Sequence, residues 1–156
     1  MTSLSPDSPT TGESRRAVAE RAVIVLALAG VALSGYLLFN HYGLVDGGVC
    51  SISETVNCDA VNRSEYAVLL GVPVAAWGLL GFLAIFVAAY LGRFHPETWL
   101  GSRAGILIVV LSVLGAAFAS YLTVLEIFVI RAICPLCVAA FGADLAILAI
   151  AALWLR

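Results

Sequence analysis

The stretch "AICPLCVAAFGADLAILAIAALWL", residues 132–155, decides the class of fold. From Pro135 onward it is apolar almost without a break, and it has roughly the 20 residues that a helix needs to cross about 30 Å of hydrocarbon. Pro135 suits the first position of a helix, where the N–H that proline lacks would have no partner. Cys134 and Cys137 stand at that start. The stretch therefore predicts a membrane helix with a dithiol at its mouth.

Three more apolar runs, at roughly residues 22–39, 72–91 and 104–128, extend the pattern to four spans. The chain is 62% hydrophobic and 12% charged, whereas soluble domains are about half apolar and a quarter charged. Spanning segments in lipid are helices, because an open strand would leave backbone groups unpaired. We predict an all-α, integral-membrane four-helix bundle.

The N-terminal residues differ in composition from the rest of the chain. Residues 1–16 are rich in Ser, Thr and Pro and predict a disordered cytoplasmic tail, which leaves residues 17–156 as the transmembrane redox domain. A cleaved signal peptide ending near "ALA", residues 27–29, is an alternative for the first run. The apolar run continues well past that site, as a retained helix would.

Arginine placement predicts the orientation of the four spans. Most arginines precede the first run, join the second and third, or end the chain, and two lie in the other connections: Arg15, Arg16, Arg21, Arg93, Arg103 and Arg156, against Arg63 and Arg131. The positive-inside rule then places both termini in the cytoplasm and both cysteine pairs on the extracytoplasmic side. That side is oxidising, so disulfides persist there. The sequence has no stripe of basic residues of the kind that binds nucleic acid.

The four cysteines form two pairs of different character. Cys134 and Cys137 have C-x-x-C spacing at a helix start, where the partial positive charge favours a thiolate. Cys50 and Cys58 stand at the two ends of a polar loop, "CSISETVNC". A loop of this kind can move toward the other pair. Because thiol–disulfide exchange needs one sulfur to approach another in line, the two pairs predict a redox relay. Two inert structural disulfides, or one zinc site, are the alternatives.

Other residues near the predicted site are polar or aromatic. "DAVNRSEYAVLLG", residues 59–71, predicts a short amphipathic helix over the membrane surface, between the first two spans.

Asp144 follows Cys137 by seven residues, which returns it to the same helix face about 10 Å further along. An acid inside a membrane is costly and often functional, so Asp144 is expected to relay a proton to a lipid-soluble electron acceptor or to hydrogen-bond Tyr36 or Ser34. The alternative is a structural acid beside a polar crevice with a satisfied partner. Trp77 lies at interface depth, either as an anchor or stacked on a ligand ring.

Glu126 and Arg131 flank the end of the third run. Their opposite charges at the membrane edge predict an interfacial ion pair.

The order of motifs is similar to that of the vitamin K epoxide reductase family. The wide pair comes first, "CDAV" begins at Cys58, "GVP" opens the second span and "CPLC" opens the fourth. The resemblance implies a bacterial inner-membrane homologue whose bundle surrounds a quinone, menaquinone or ubiquinone, with no metal. It also implies that Cys50 takes electrons from a periplasmic thioredoxin-like protein, that Cys58 passes them to Cys134, and that Cys137 reduces the quinone. Because the chain ends at residue 156 without a fused domain, that partner is expected to be separate.

Two further positions carry family expectations. Ser64 matches a family serine near the redox centre, and Phe141 stands where the animal enzymes have a tyrosine that helps to bind the vitamin. Ser64, Trp77, Phe141 and Asp144 are accordingly the expected quinone-binding residues. Reduction of quinone or vitamin K epoxide, and a non-catalytic membrane protein with structural disulfides, are the competing functions.

Overall fold

The computed structural model describes residues 11–45 and 50–154, and four long helices dominate it. The helices and strands, in chain order, are α1 (Thr11–His41), α2 (Cys58–Asn62), β1 (Val68–Leu69), β2 (Val72–Pro73), α3 (Val74–Phe94), α4 (Trp99–Ser102), α5 (Ala104–Leu125) and α6 (Pro135–Trp154). A single π-helical turn, Glu126–Ile130, extends α5. Within the described residues, four stretches are long and apolar enough to cross a membrane: Ser14–His41, Val74–Phe94, Ala104–Ile130 and Pro135–Leu153. The predicted four-helix membrane fold is confirmed.

The long helices form a ring. Helix α1 packs against α3 and α6, and α5 packs against the same two helices from the other side. One apolar core fills the centre, built from Val23, Ala27, Phe82, Ile85, Ala88, Ala89, Ile108, Ile147 and Ala151. Large apolar side chains on the outer faces, such as Val25, Leu80 and Leu114, are exposed toward the region that lipid would occupy. The bundle therefore buries one stripe of each helix and leaves the other for the hydrocarbon.

The start of α1 corrects one prediction. The helix begins at Thr11, so residues 11–16 are helical and do not belong to a disordered tail. Residues 1–10 lie outside the described part of the chain. Glu20 explains why this end is ordered: its carboxylate is buried and lies 3.0 Å from Arg93 Nη1 on α3 and 3.4 Å from Arg16 Nε. The Glu20–Arg93 ion pair ties α1 to α3 at the end opposite the cysteines, and the Glu20–Arg16 pair lies within α1.

The segment between α1 and α3 is less helical than predicted. Helix α2 is the expected short helix, but it ends at Asn62, and a 3₁₀ turn at Glu65–Ala67 follows. The remaining residues form the two-stranded hairpin β1–β2, whose two-residue loop, Leu70 and Gly71, has positive φ at both positions. That geometry matches the twist of a tight hairpin. Pro73 precedes α3 as its N-cap.

Candidate functional site

The two cysteine pairs are in different redox states. Cys50 and Cys58 are joined by a disulfide, and both are buried. Cys134 is a buried free thiol, and Cys137 is a half-buried free thiol. The sequence leaves open which cysteines are bonded, and the structure has the loop pair oxidised and the helix pair reduced.

Main-chain hydrogen bonds join the two pairs. The Ile133 N–H donates to the Thr55 carbonyl at 2.8 Å, and the Asn57 N–H donates to the Ile133 carbonyl at 3.1 Å. These bonds form a parallel bridge between the loop and the segment before α6. Asn57, which precedes Cys58, is therefore hydrogen-bonded to Ile133, which precedes Cys134. In this state the Cys58 end of the loop is held in place.

The bridge brings three sulfur atoms into one cluster. The Sγ atoms of Cys50, Cys58 and Cys134 all lie within 4.8 Å of one another, and the Cys134 thiol is 3.3 Å from Cys58 Sγ. Thiol–disulfide exchange requires this approach of a thiol to a disulfide sulfur. Two of the three sulfurs are bonded to each other, so they are not available as the thiolate ligands that zinc needs. The cluster is a redox site.

The start of α6 activates Cys134. A hydrogen bond from the Cys137 side chain to its sulfur, followed by one from the Cys137 N–H at 3.2 Å, lowers the pKa of Cys134 despite burial of the thiol. A lower pKa gives more of the thiolate, which is the nucleophile. Cys134 is thus the thiol that lies against the loop disulfide, and its lowered pKa favours the thiolate both as attacking and as leaving group in exchange.

A polar network fixes α2 against the end of α1. Asn62 is buried, and its amide nitrogen donates to the Leu37 carbonyl and to Asn40 Oδ1, each at 2.8 Å. Asn40 in turn donates to Asp59 Oδ1 at 2.9 Å. The His41 ring nitrogen Nδ1 donates to the Asn62 carbonyl, also at 2.8 Å. Because α2 begins at Cys58, this network positions the cysteine as well as the helix.

A cavity of about 220 Å³ opens beside the dithiol. Its walls are mostly apolar and come from α1, α3, α5, α6 and the segment after α2. Cys137 lies on the wall, as do Ser64, Trp77, Phe141 and Asp144. The structure therefore brings the four expected quinone-binding residues together around the second cysteine. Their contacts with a quinone stay a prediction.

Two of these residues lie at the loop side of the cavity. The Ser64 hydroxyl donates to the Val61 carbonyl at 2.7 Å, which leaves its lone pairs as acceptors. The Trp77 indole N–H donates to the Leu69 carbonyl at 3.4 Å, and 42% of the residue is exposed. Trp77 therefore joins the hairpin to α3 at the cavity rim.

Asp144 lies deep in the cavity. The residue is buried and its side chain interacts with Ser112, but neither Asp144 Oδ2 nor Ser112 Oγ makes a hydrogen bond of ordinary geometry with a described residue. Gly115 gives it room, because a Cβ at that position would lie 2.9 Å from Asp144 Oδ2. Ser34, one of the expected partners, lines the same cavity. An unsatisfied carboxylate oxygen on a cavity wall is available to a ligand.

Glu126 is the residue that the sequence interpretation placed wrongly. Its carboxylate is 4% exposed and accepts the Cys134 N–H at Oε2, 3.1 Å away, while Arg131 is exposed and ends the π turn with φ 56°. Among the described residues the carboxylate therefore faces the cysteines and not Arg131. The π turn starts at Glu126, and a wider turn changes which side chains face inward. Regular helical spacing gives no sign of that change.

Comparison with known proteins identifies a family. The family model described as "Vitamin K epoxide reductase family" matches residues 21–152. These include all four cysteines and all of the four long helices except the first ten residues of α1 and the last two of α6. No curated protein matches the chain significantly.

Proposed function

Because the chain belongs to the vitamin K epoxide reductase family, we propose that it oxidises a separate, extracytoplasmic thioredoxin-like protein and passes the electrons to a membrane quinone. Membership makes the chain a multi-pass membrane oxidoreductase that couples disulfide chemistry to quinone. The direction, the partner and the quinone, menaquinone or ubiquinone, are the proposal. The sulfur distance of 3.3 Å between Cys134 and the loop disulfide is the observation that supports it most strongly.

The proposed relay has three balanced steps. The partner's dithiol reduces the Cys50–Cys58 disulfide, and the partner leaves as a disulfide. The Cys58 thiolate then attacks Cys134 in the oxidised helix pair, Cys137 leaves as a thiolate, and Cys50 resolves the Cys58–Cys134 bond. This restores the loop disulfide and leaves the helix pair reduced. The helix dithiol finally gives two electrons and two protons to quinone as its own S–S bond forms.

The redox states in the structure fit one point of this cycle. The loop pair is a disulfide and the helix pair is a dithiol, as they are after electrons have passed inward and before quinone is reduced. Cys50 is buried in this state, so the partner reaches it only after the loop opens. Cys137, at the cavity wall, is the thiol in position to meet the quinone.

The cavity supplies the proposed quinone site. Its apolar walls suit the ring, and about 220 Å³ is less than the roughly 300–1,000 Å³ of pockets for drug-sized ligands, so the isoprenoid tail would extend into lipid. Asp144 offers an unsatisfied oxygen for a hydrogen bond or a proton, and Ser64 is a second polar group. Trp77 and Phe141 offer aromatic faces. Phe141 has no hydroxyl, which argues against a binding mode that needs a tyrosine there.

Single-turnover assays in proteoliposomes test the relay. Cys137→Ala is expected to abolish quinol formation, and Cys50→Ala is expected to block only electrons that arrive from a thioredoxin-like protein. A Cys137→Ala protein that reduces quinone at the wild-type rate contradicts the assignment. Trapping of a mixed disulfide between such a partner and Cys50 in a Cys58→Ala protein would identify the point of electron input.

The proposed sidedness has its own test. Arg63 and Arg103 are both exposed and lie in connections at opposite ends of the bundle. In intact cells, a membrane-impermeant maleimide is expected to label R63C and not R103C. Labelling of R103C alone reverses the proposed orientation, in which the cysteines face the periplasm and both termini face the cytoplasm of a bacterial inner membrane.

A further inference from the structure

Glu126 is a buried acid that the relay above does not use. It lies at the junction of α5 and the π turn, and only 4% of it is exposed. Its carboxylate accepts the Cys134 N–H at 3.1 Å and interacts with the side chain of Cys137. Glu126 and Cys137 also line the same cavity. The carboxylate therefore touches both cysteines of the helix pair.

The position of Cys137 creates a need for a proton acceptor. Its thiol loses a proton whenever its sulfur gives up electrons, and it lies at the first turn of a membrane span beside mostly apolar walls. An ion without a hydrogen-bonding partner is costly in such surroundings. A general base must lie within hydrogen-bonding reach of the proton that it takes. The Glu126 carboxylate lines the same cavity as Cys137 and interacts with its side chain, so it is placed to take that proton.

We propose that Glu126 is a catalytic residue that takes the thiol proton of Cys137 as its sulfur gives up electrons and then releases that proton to a quinone oxygen. The step balances: the two thiols lose two electrons and two protons and form one S–S bond, and the quinone gains two of each. The Cys137 proton travels through Glu126, which ends unchanged, and the proton that leaves Cys134 is matched by the second proton that the quinone gains. For the identity of the electron acceptor, this inference rests on the proposed function.

A purely structural role is the competing explanation, because Glu126 Oε2 also satisfies the Cys134 N–H. Glu126→Gln separates the two roles. The amide oxygen of glutamine still accepts that N–H, but the amide cannot take a proton. Glu65 provides the control, since Glu65→Gln removes the same charge from an exposed position in the 3₁₀ turn.

The first experiment measures single-turnover quinol formation from the reduced Cys134/Cys137 pair in proteoliposomes. General base catalysis contributes about 10²–10⁴-fold, so Glu126→Gln is expected to slow the step at least about 100-fold. Reduction of the Cys50–Cys58 disulfide by a small dithiol should stay within about twofold of wild type. Glu65→Gln should leave both rates unchanged. Quinol formation within twofold of wild type in Glu126→Gln overturns the inference, and so does an equal loss in both reactions.

The second experiment needs no quinone. In a Cys134→Ser background with the loop disulfide intact, a membrane-soluble maleimide alkylates Cys137 at a rate set by the fraction of its thiolate. A carboxylate beside the thiol disfavours that thiolate, so Glu126→Gln is expected to speed alkylation at a fixed pH, while Glu65→Gln leaves the rate unchanged. Alkylation of Glu126→Gln at the wild-type rate or slower would mean that the carboxylate does not act on Cys137, and it would overturn the inference. If the wild-type protein reduces no quinone but alkylation is faster in Glu126→Gln, the proposed function fails and the interaction of Glu126 with Cys137 stands.

Discussion

Replacement of Asn62 by alanine should loosen the Cys58 side of the redox site. The Asn62 amide donates two hydrogen bonds of 2.8 Å that fasten α2 to the end of α1. Alanine removes both bonds and leaves Asn40 Oδ1, on a residue that is 1% exposed, without its donor. Asn40 still donates to Asp59, so the network is weakened and not abolished.

The size of the effect follows from those contacts. Each lost hydrogen bond costs about 0.5–1.5 kcal/mol, and a buried acceptor left without a partner costs about 1–3 kcal/mol. These contributions overlap, so the total is about 2–4 kcal/mol of docking free energy. Since every 1.4 kcal/mol is a factor of ten, the undocked population of α2 should rise about 30- to 700-fold.

Amide hydrogen exchange measures that population directly. In Asn62→Ala, amides of residues 56–62 should exchange faster by about the same factor, while those in the middle of α3 should not change. Arg63→Ala is the control, because Arg63 is exposed and adjacent and its backbone caps would remain. Exchange of disulfide bonds between Cys58 and Cys134 should slow as well. Unchanged amide protection in Asn62→Ala would refute the claim that this network holds Cys58 in place.

Two further outcomes are expected. Cys137→Ala removes the largest influence that lowers the pKa of Cys134, so the pH midpoint for alkylation of Cys134 should rise toward that of an ordinary thiol; a midpoint that falls contradicts the assignment. Gly30→Ala should destabilise the bundle by about 1–3 kcal/mol, because its Cβ would overlap the Phe82 ring. Gly35→Ala meets nothing within 4 Å, so it should have no such cost, and equal thermal shifts of the two variants in detergent would count against this packing.

The membrane spans could be predicted because each one is recognised from its own stretch of sequence. Each apolar run is long enough to cross a bilayer, and no alternative burial exists for it, so composition alone defines the bundle. The C-x-x-C at the start of α6 is recognised in the same way, since Pro135 marks the helix start. The predicted short helix between the first two spans exists, but its length was wrong, because the Leu70–Gly71 turn folds the last part into a hairpin.

The arrangement of the site depends on contacts that are distant in sequence. Residues around Asn57 pair with Ile133 through main-chain atoms, and main-chain pairing leaves little trace in side-chain identity. Glu126 faces the cysteines because a π turn replaces a regular helical turn. The spacing of residues in the sequence does not predict where a π turn occurs. Regular helical spacing does hold within α6. It predicts that Asp144 and Cys137 share a face, and both residues line the same cavity.

The bridge between the loop and Ile133 also determines where the chain tolerates changes of length. Residues 52–54 lie on the outer, exposed side of the bridge, where lengthening a loop is cheap: about 0.6 kcal/mol for each doubling. Added residues there should leave the 3.3 Å sulfur contact intact. One extra residue between Ile133 and Cys134 would instead turn the sulfur to another side of the chain. The bridge thus fixes the distance between the exchanging sulfur atoms, and a segment of different length or sequence is expected to replace residues 52–54 without changing that distance.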